Sequence, residues 1–283
     1  MKTVNDILKI STEFLAQKGI ASPRREVEEL LSHILKVPRI ELYMQFDRPL
    51  IETELEKLRS YLKLRIQKMP WQYIVGEVQF LGCTIDVTKD VLIPRLETEI
   101  LADKIVKELP SSPVVIWDIC CGSGCLGLAL KKKRPDCTIV LSDISSEAIK
   151  IAKQNAEKNE VQVDIRQGDL CQPFQGQKAD IVVCNPPYIS EEGYLALEPE
   201  VRNWEPKSAL VGGKQGTEFY ERLSRELPPL LNSGAKVYLE IGTGMGSQIK
   251  NLFSGSSWTS IEVSQDWSSH DRFIRLEFQD LLI

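Results

Sequence analysis

From Val114 to Ile241, apolar runs of strand length alternate with amphipathic stretches of helical period, and this alternation constrains the fold more than any other feature. VVIWD (114 to 118), CTIVLSD (137 to 143), VQVDI (161 to 165), DIVVCN (180 to 185) and AKVYLEI (235 to 241) read as strands. Between them, Cys125 to Lys133, Ser146 to Lys158 and Glu218 to Leu231 read as helices. Strands linked through helices pair in parallel, so the expected fold is α/β, a doubly wound and mainly parallel sheet. SIEVSQD and RFIRLEF are separated by a short polar stretch and suit an antiparallel pair at its end. A sheet covered on both faces needs a large apolar content, and 42% of the 283 residues are hydrophobic.

The amino-terminal part follows another pattern. Ile7, Leu8, Ile10, Phe14 and Leu15 recur at helical spacing, and Ser22-Pro23 reads as the N-cap and first position of a second helix carrying Val27, Leu30, Leu31, Ile34 and Leu35. A short piece around Ile40 to Phe46 and a helix marked by Leu55, Leu58, Leu62 and Ile66 complete a small bundle without a catalytic constellation. VQFLG and CTIDVT then suggest a hairpin. The expected domains are a helical bundle over 1–75, a hairpin linker over 76–91 and an α/β domain over 92–283.

Other classes are disfavoured. A net charge of -5 argues against a protein that coats nucleic acid, so no stable direct nucleic-acid binding is expected. No run approaches the roughly 18 to 20 apolar residues of a membrane span, and MKTVNDILKISTEF lacks the apolar block of a secretion signal, which together point to a cytoplasmic protein. Cys120, Cys121 and Cys125 lack paired CxxC spacing and the two histidines, His33 and His270, are distant, so no metal site is expected.

In an open α/β sheet, ligands bind beyond the carboxyl ends of the strands. The first such turn is Asp118-Ile119-Cys120-Cys121-Gly122-Ser123-Gly124, where the glycines allow a sharp turn and close approach to a ligand. Gly122 to Gly127 also spells GxGxxG, with Asp143 near the position of a ribose acid, which alone fits a dinucleotide. Asp118 before the longer glycine loop instead resembles the first motif of class I methyltransferases, which bind S-adenosyl-L-methionine. Asp143 can accept hydrogen bonds from both ribose hydroxyls, while Gly168-Asp169-Leu170 offers an acid for the adenine amino group and an apolar contact for its ring.

Asn185-Pro186-Pro187-Tyr188 follows the next apolar strand, and prolines alone would only end it. With the flanking Asn and Tyr, the motif resembles the NPPY of methyltransferases acting on planar NH2 groups. The nitrogen of such a group is a poor nucleophile because its lone pair is delocalised. The side-chain oxygen of Asn185 and the carbonyl of Pro186 can both accept from it, favouring pyramidalisation, and Tyr188 can pack over the planar group.

Further segments make the resemblance specific. Ile93-Pro94-Arg95-Leu96-Glu97-Thr98-Glu99, DICCGSG, NPPY, Glu205-Pro206, Ala209-Leu210, Gly212-Gly213, Phe219-Tyr220 and Leu239-Glu240-Ile241-Gly242 occur in order. The chain resembles the HemK/PrmC family of protein-(glutamine-N5) methyltransferases that modify peptide-chain release factors. That resemblance implies a Rossmann-like seven-stranded sheet with a substrate-recognising helical bundle. It also implies S-adenosyl-L-methionine held by Asp118, Cys120, Cys121, Gly122, Ser123, Gly124, Asp143, Asp169, Leu170 and Asn185. Arg95, Glu97 and the residues Asn185 to Tyr188 would face the protein substrate, the glutamine of a release factor's GGQ loop. Leu96 stands where the family pattern has proline, Cys120 and Cys121 where Gly and Thr are common, and Gln215 where an acid is expected. Alternative activities are glutamine methylation of a ribosomal protein and adenine-N6 methylation of nucleic acid. A non-catalytic adaptor would have lost the loop or NPPY, and both are intact.

Overall fold

The computed structural model describes residues 2–255 and 257–280. The chain divides into two compact units, Met1–Gly76 with Pro199–Trp204, and Glu77–Glu198 with Glu205–Ile283.

The first unit contains α1 (Val4–Gln17), α2 (Pro23–Leu35), α3 (Arg39–Leu42), α4 (Glu52–Arg65) and α5 (Trp71–Val75). Thr3 and Asp6 cap α1 reciprocally, satisfying amide donors that the first turn cannot pair. Ser22 does not act as the expected side-chain cap; α2 begins instead on Pro23, whose fixed φ suits a first helical position. Val4, Leu8, Leu15, Val27, Leu30, Leu31 and Leu42 are fully buried, so most of the periodic positions face the core, whereas Ile10 is exposed. Charged residues join that core: Glu26, Glu28 and Arg65 are buried, and the Arg65 guanidinium pairs with both oxygens of Glu26 and also donates to Glu200 at 2.6 Å.

The second unit opens with β1 (Glu77–Phe80) and β2 (Cys83–Asp86), an antiparallel hairpin. There follow α6 (Leu96–Glu108), β3 (Val115–Ile119), α7 (Cys125–Lys133), β4 (Thr138–Asp143), α8 (Ser146–Lys158), β5 (Asp164–Gln167), β6 (Ala179–Cys184) and α9 (Glu191–Leu195). The chain then contributes α10 (Pro199–Trp204) to the helical unit and returns for α11 (Lys207–Leu210), α12 (Glu218–Glu226), β7 (Leu231–Glu240), α13 (Gly246–Leu252), β8 (Trp258–Gln265) and β9 (Asp271–Phe278).

Seven strands lie in the order β5-β4-β3-β6-β7-β9-β8. The first five are parallel, and β9 is antiparallel to both β7 and β8. Two local expectations shift. The strand expected at VQVDI begins only at Asp164, where pairing with Val140 starts. The helix expected over Glu218 to Leu231 stops at Glu226, because Pro228 and Pro229 lack the N–H groups needed to continue it. In the core, Trp117 stacks on Phe174 with ring centroids 4.2 Å apart, and each such buried aromatic contributes about 1.5 to 3 kcal/mol.

The topology fixes the site. From β3 the chain moves outward through β4 and β5, then crosses back to place β6 on the other side of β3. Neighbouring connections therefore leave β3 and β6 in opposite directions, opening a crevice beyond their carboxyl ends.

Candidate active site

The loop after β3 forms the floor of that crevice. Gly124 has a φ of +80° and starts α7; a Cβ there would lie 3.0 Å from Leu141 and 3.2 Å from Ala152, so glycine is required on both counts. Asp143, at the end of β4, fixes the loop from the side: its Oδ2 accepts from the Gly122 amide at 2.8 Å and its Oδ1 from the Ser145 amide at 2.9 Å. Burial raises the Asp143 carboxyl, and these bonds oppose the rise. Asp118 accepts from the Gly127 amide at 2.8 Å. Burial pushes it up to about 7, the Gly127 bond opposes this, and negative Asp143 adds to it.

A pocket of about 290 Å³ lies over this floor, lined by Asp118, Cys120, Cys121, Gly122, Ser123, Asp143, Ile144, Asp169, Leu170, Asn185, Pro187, Phe219 and Arg222 among others. Gly124 lies beneath the loop and does not line it. Pro186, Tyr188, Arg95 and Glu97 also fall outside this lining. Asp169 is not a bare carboxylate: both oxygens accept from Arg222 at 2.9 Å, so a ring amino group would meet an ion pair there. The donor set fits S-adenosyl-L-methionine. Asp143 offers a carboxylate for vicinal hydroxyls, Ile144 and Leu170 offer apolar walls for a ring, and buried Asp118 lies beside the glycine loop.

Of the Asn185–Tyr188 segment, Asn185 and Pro187 reach the pocket wall. Asn185 donates through Nδ2 to the Thr98 hydroxyl at 3.2 Å, and Thr98 donates to Oε2 of Glu240 at 2.6 Å. Burial pushes Glu240 up to about 7, against the pull of the Thr98 bond. Burial likewise pushes Tyr188 up to about 12, leaving it a neutral phenol at ordinary pH. Its ring packs against the core beside Gly242 rather than into the pocket. Behind the motif, the Ile189 amide donates to the Leu210 carbonyl and the Ile189 carbonyl accepts from the Gly212 amide, both at 2.9 Å, and a Cβ on Gly212 would lie 2.3 Å from the carbonyl oxygen of Pro187. Gly212 therefore permits the close approach that clamps the two prolines.

Arg95 does not stand free. It pairs with buried Glu205, whose other oxygen accepts from the Ile93 amide at 3.1 Å, so Glu205 pins the loop leading into α6. Two of the departures from the family pattern have a local reading in the backbone. Leu96 is the first residue of α6, where proline would suit the fixed φ but is not required. Cys120 has a φ of +59°, a left-handed conformation in which glycine avoids a cost of roughly 1 to 2 kcal/mol. The Gln215 amide donates to Glu218 at 2.9 Å. Replacing Cys120 by glycine relieves the strain but loosens the unfolded chain, so the expected net gain is at most about 1 kcal/mol, read as a slightly higher melting temperature. A lower one would mean that thiol packing outweighs the strain.

Four supporting residues had no assigned role in the sequence reading: Thr98, Glu205, Glu240 and Asn155. Three lay within the motifs quoted above, but their partners are distant, 142 positions in the case of Thr98 and Glu240. Asn155, fully buried on α8, bonds the edge of β2 at Asp86 and also donates to the Ser123 carbonyl, tying the hairpin to the glycine loop.

Comparison with known proteins shows the family. Residues 6–76 match the PrmC N-terminal domain and residues 85–197 the Methyltransferase small domain. A release factor glutamine methyltransferase of Chlamydia trachomatis is 41% identical over 275 residues, covering 96% of this chain and 93% of the relative. The protein of that name from Geobacter sulfurreducens is 37% identical, covering 96% and 95%, and that from Bacillus cereus is 35% identical, covering 98% and 99%. Among solved structures, a methyltransferase from Pyrococcus furiosus shares the fold with a TM-score of 0.56 at 18% identity, covering 77% of this chain and all (100%) of that one. The hMettl16 catalytic domain bound to a MAT2A hairpin does so at 0.57 and 16% identity, covering 81% and 82%. With both units matched and identity sustained along nearly the whole length of the relatives, the chain belongs to the release factor glutamine methyltransferase family.

Proposed function

We propose that the protein transfers the methyl group of S-adenosyl-L-methionine to the side-chain amide nitrogen of the glutamine in the GGQ loop of peptide-chain release factors. The observation that carries this reading is the placement of Asn185 at the wall of the pocket whose floor is the glycine loop. Bound there, S-adenosyl-L-methionine supplies a methyl group activated by the positive charge on its sulfur. Asp143 would hold the ribose, Ile144 and Leu170 would flank the adenine, and the Arg222–Asp169 pair would bound that end. The Asn185 side-chain oxygen and the Pro186 carbonyl accept from the amide NH2 and aim its lone pair. Neither acceptor needs to take a proton before the methyl moves; the methylated nitrogen then releases one N–H proton to water and S-adenosyl-L-homocysteine would leave, so the site can work without a strong base.

The choice of release factor as substrate is supported by the names of the relatives, and the helical unit with α10 is the part we assign to holding it. The net charge of -5 supports a protein rather than a nucleic-acid partner, and the seven free cysteines suit a reducing cytoplasm. No described helix is long and apolar enough to cross a membrane.

Incubation with labelled cofactor, purified release factors, ribosomal proteins and nucleic acid, followed by mass spectrometry, tests the substrate. Label on a release-factor glutamine is expected; label confined to a ribosomal protein or to adenine would replace this reading. Asp143→Ala should weaken cofactor binding by about 1 to 3 kcal/mol, the scale of a lost charged hydrogen-bond partner, as read by calorimetry. Unchanged affinity would remove Asp143 from the cofactor site.

A further inference from the structure

Thr98 has one hydroxyl proton and two acceptor lone pairs, and it lies between two partners. It donates to Glu240 at 2.6 Å and accepts from the Asn185 Nδ2 at 3.2 Å. Thr98 and Glu240 are 4% and 1% exposed, so water competes poorly for these bonds. An ionised carboxylate has no proton to give. The hydroxyl proton is therefore committed to Glu240, and towards Asn185 Thr98 can only accept. The NH2 end of the carboxamide satisfies that demand, whereas the oxygen end would set lone pairs against lone pairs. A carboxamide is nearly symmetrical in shape, so packing alone would not decide between its two orientations; the hydrogen-bond sequence does.

We propose that Thr98 and Glu240 are positioning residues for methyl transfer, acting in series to hold the Asn185 carboxamide with its oxygen turned towards the acceptor NH2. The inference rests on Asn185 orienting the acceptor, and it joins the starts and ends of three elements, α6, β6 and β7, into one device. The sense of the relay requires Glu240 to be ionised. If Glu240 carries a proton, it can donate to Thr98, the Thr98 hydroxyl can then donate to Asn185, and the carboxamide oxygen is drawn away from the substrate. Burial pushes Glu240 up to about 7, opposed by the Thr98 bond and by Arg272 and Arg95, while Glu97 adds to the rise. Tyr188, Tyr220 and Cys125 also face it from the NPPY segment, α12 and α7. Transfer should therefore rise with pH through neutrality.

The test is single-turnover methyl transfer, with cofactor affinity measured in parallel, on whichever acceptor the wild-type protein methylates, so that an error in the assigned substrate leaves the relay testable. Thr98→Val, which keeps the shape and loses the hydroxyl, should slow transfer by on the order of 10- to 100-fold, the usual effect of removing a group that orients a site residue, with a smaller change in cofactor affinity. Thr98→Ser should recover most of that loss. In an Asn185→Ala background there is no carboxamide to orient, so the Thr98→Val penalty should vanish. Glu240→Gln keeps an oxygen to accept from Thr98 but cannot ionise, and should abolish the rise with pH. Overturning results are a Thr98→Val rate equal to wild type, a penalty undiminished in the Asn185→Ala background, or an unaltered pH rise in Glu240→Gln.

Discussion

Asn185→Ala should lower single-turnover methyl transfer by about 100-fold to 1,000-fold while retaining most of the cofactor affinity, because a preorganised polar group at a reacting centre is worth that order. The separation follows from the roles proposed above. Asp143, Leu170 and the glycine loop line the pocket beyond β4, β5 and β3, whereas Asn185 follows β6 and donates to Thr98 of α6. Truncation removes one of the two acceptors proposed for the NH2 group and leaves the Pro186 carbonyl. Asn185→Asp is a sharper probe. Its carboxylate has no NH2 to give Thr98, whose proton is already shared with Glu240, and it adds a second negative charge to a buried acidic neighbourhood. Its rate should also fall, and its cofactor affinity should change more than that of the alanine variant. Rates near wild type for Asn185→Ala on a confirmed glutamine would refute amide positioning by this residue.

Arg65→Ala should destabilise the helical unit by about 3 to 5 kcal/mol, since removing one partner of a buried ion pair leaves the other charge unpaired in a dry site. Arg65 is 1% exposed and holds Glu26 with two bonds and Glu200 with another. Amide hydrogen exchange is the appropriate readout, because a chain of two units need not unfold in a single step. Protection should fall in α2, α4 and α10, and methylation of whole release factor should fall more than cofactor affinity. Arg65→Lys should rescue little, as a single ammonium cannot reproduce the planar fork. Glu26→Gln, added to Arg65→Ala, should restore part of the lost stability. Unchanged exchange in Arg65→Ala would mean that both carboxylates find water.

Much of the fold was legible because it follows from short-range patterns. Apolar runs such as VVIWD and DIVVC are long enough to specify buried strands, and Pro23 and Gly124 mark helix starts through backbone geometry that one residue imposes. The cofactor loop and NPPY were legible for the same reason, each being a contiguous segment at a strand end. The supporting polar contacts were not. Ile93 and Glu205 are 112 positions apart and Arg65 and Glu200 are 135 apart, and a single bond across such a distance imposes no period on either segment. Asp169 shows the same limit: GDL reads as an acid at a strand end, but that both its oxygens accept from Arg222, 53 positions later, is not written in the segment. The VQVDI strand start was misplaced because strand length at a sheet edge is set by the neighbour's pairing, which the apolar run does not encode.

The excursion through α10 alters how the units are strung together. A linker at Gly76 alone would leave the helical unit as a bead on one string, but the chain also enters it before Pro199 and leaves it after Trp204. Those two additional crossings stand on either side of α10, with the NPPY segment upstream and Glu205, the clamp on Arg95, immediately downstream. The unit assigned to gripping the substrate is thus spliced into the stretch of chain that builds the acceptor site. Severing the backbone at Gly76 would part α1 to α5 from α10, so the helical unit cannot be moved between proteins as a simple end-to-end cassette.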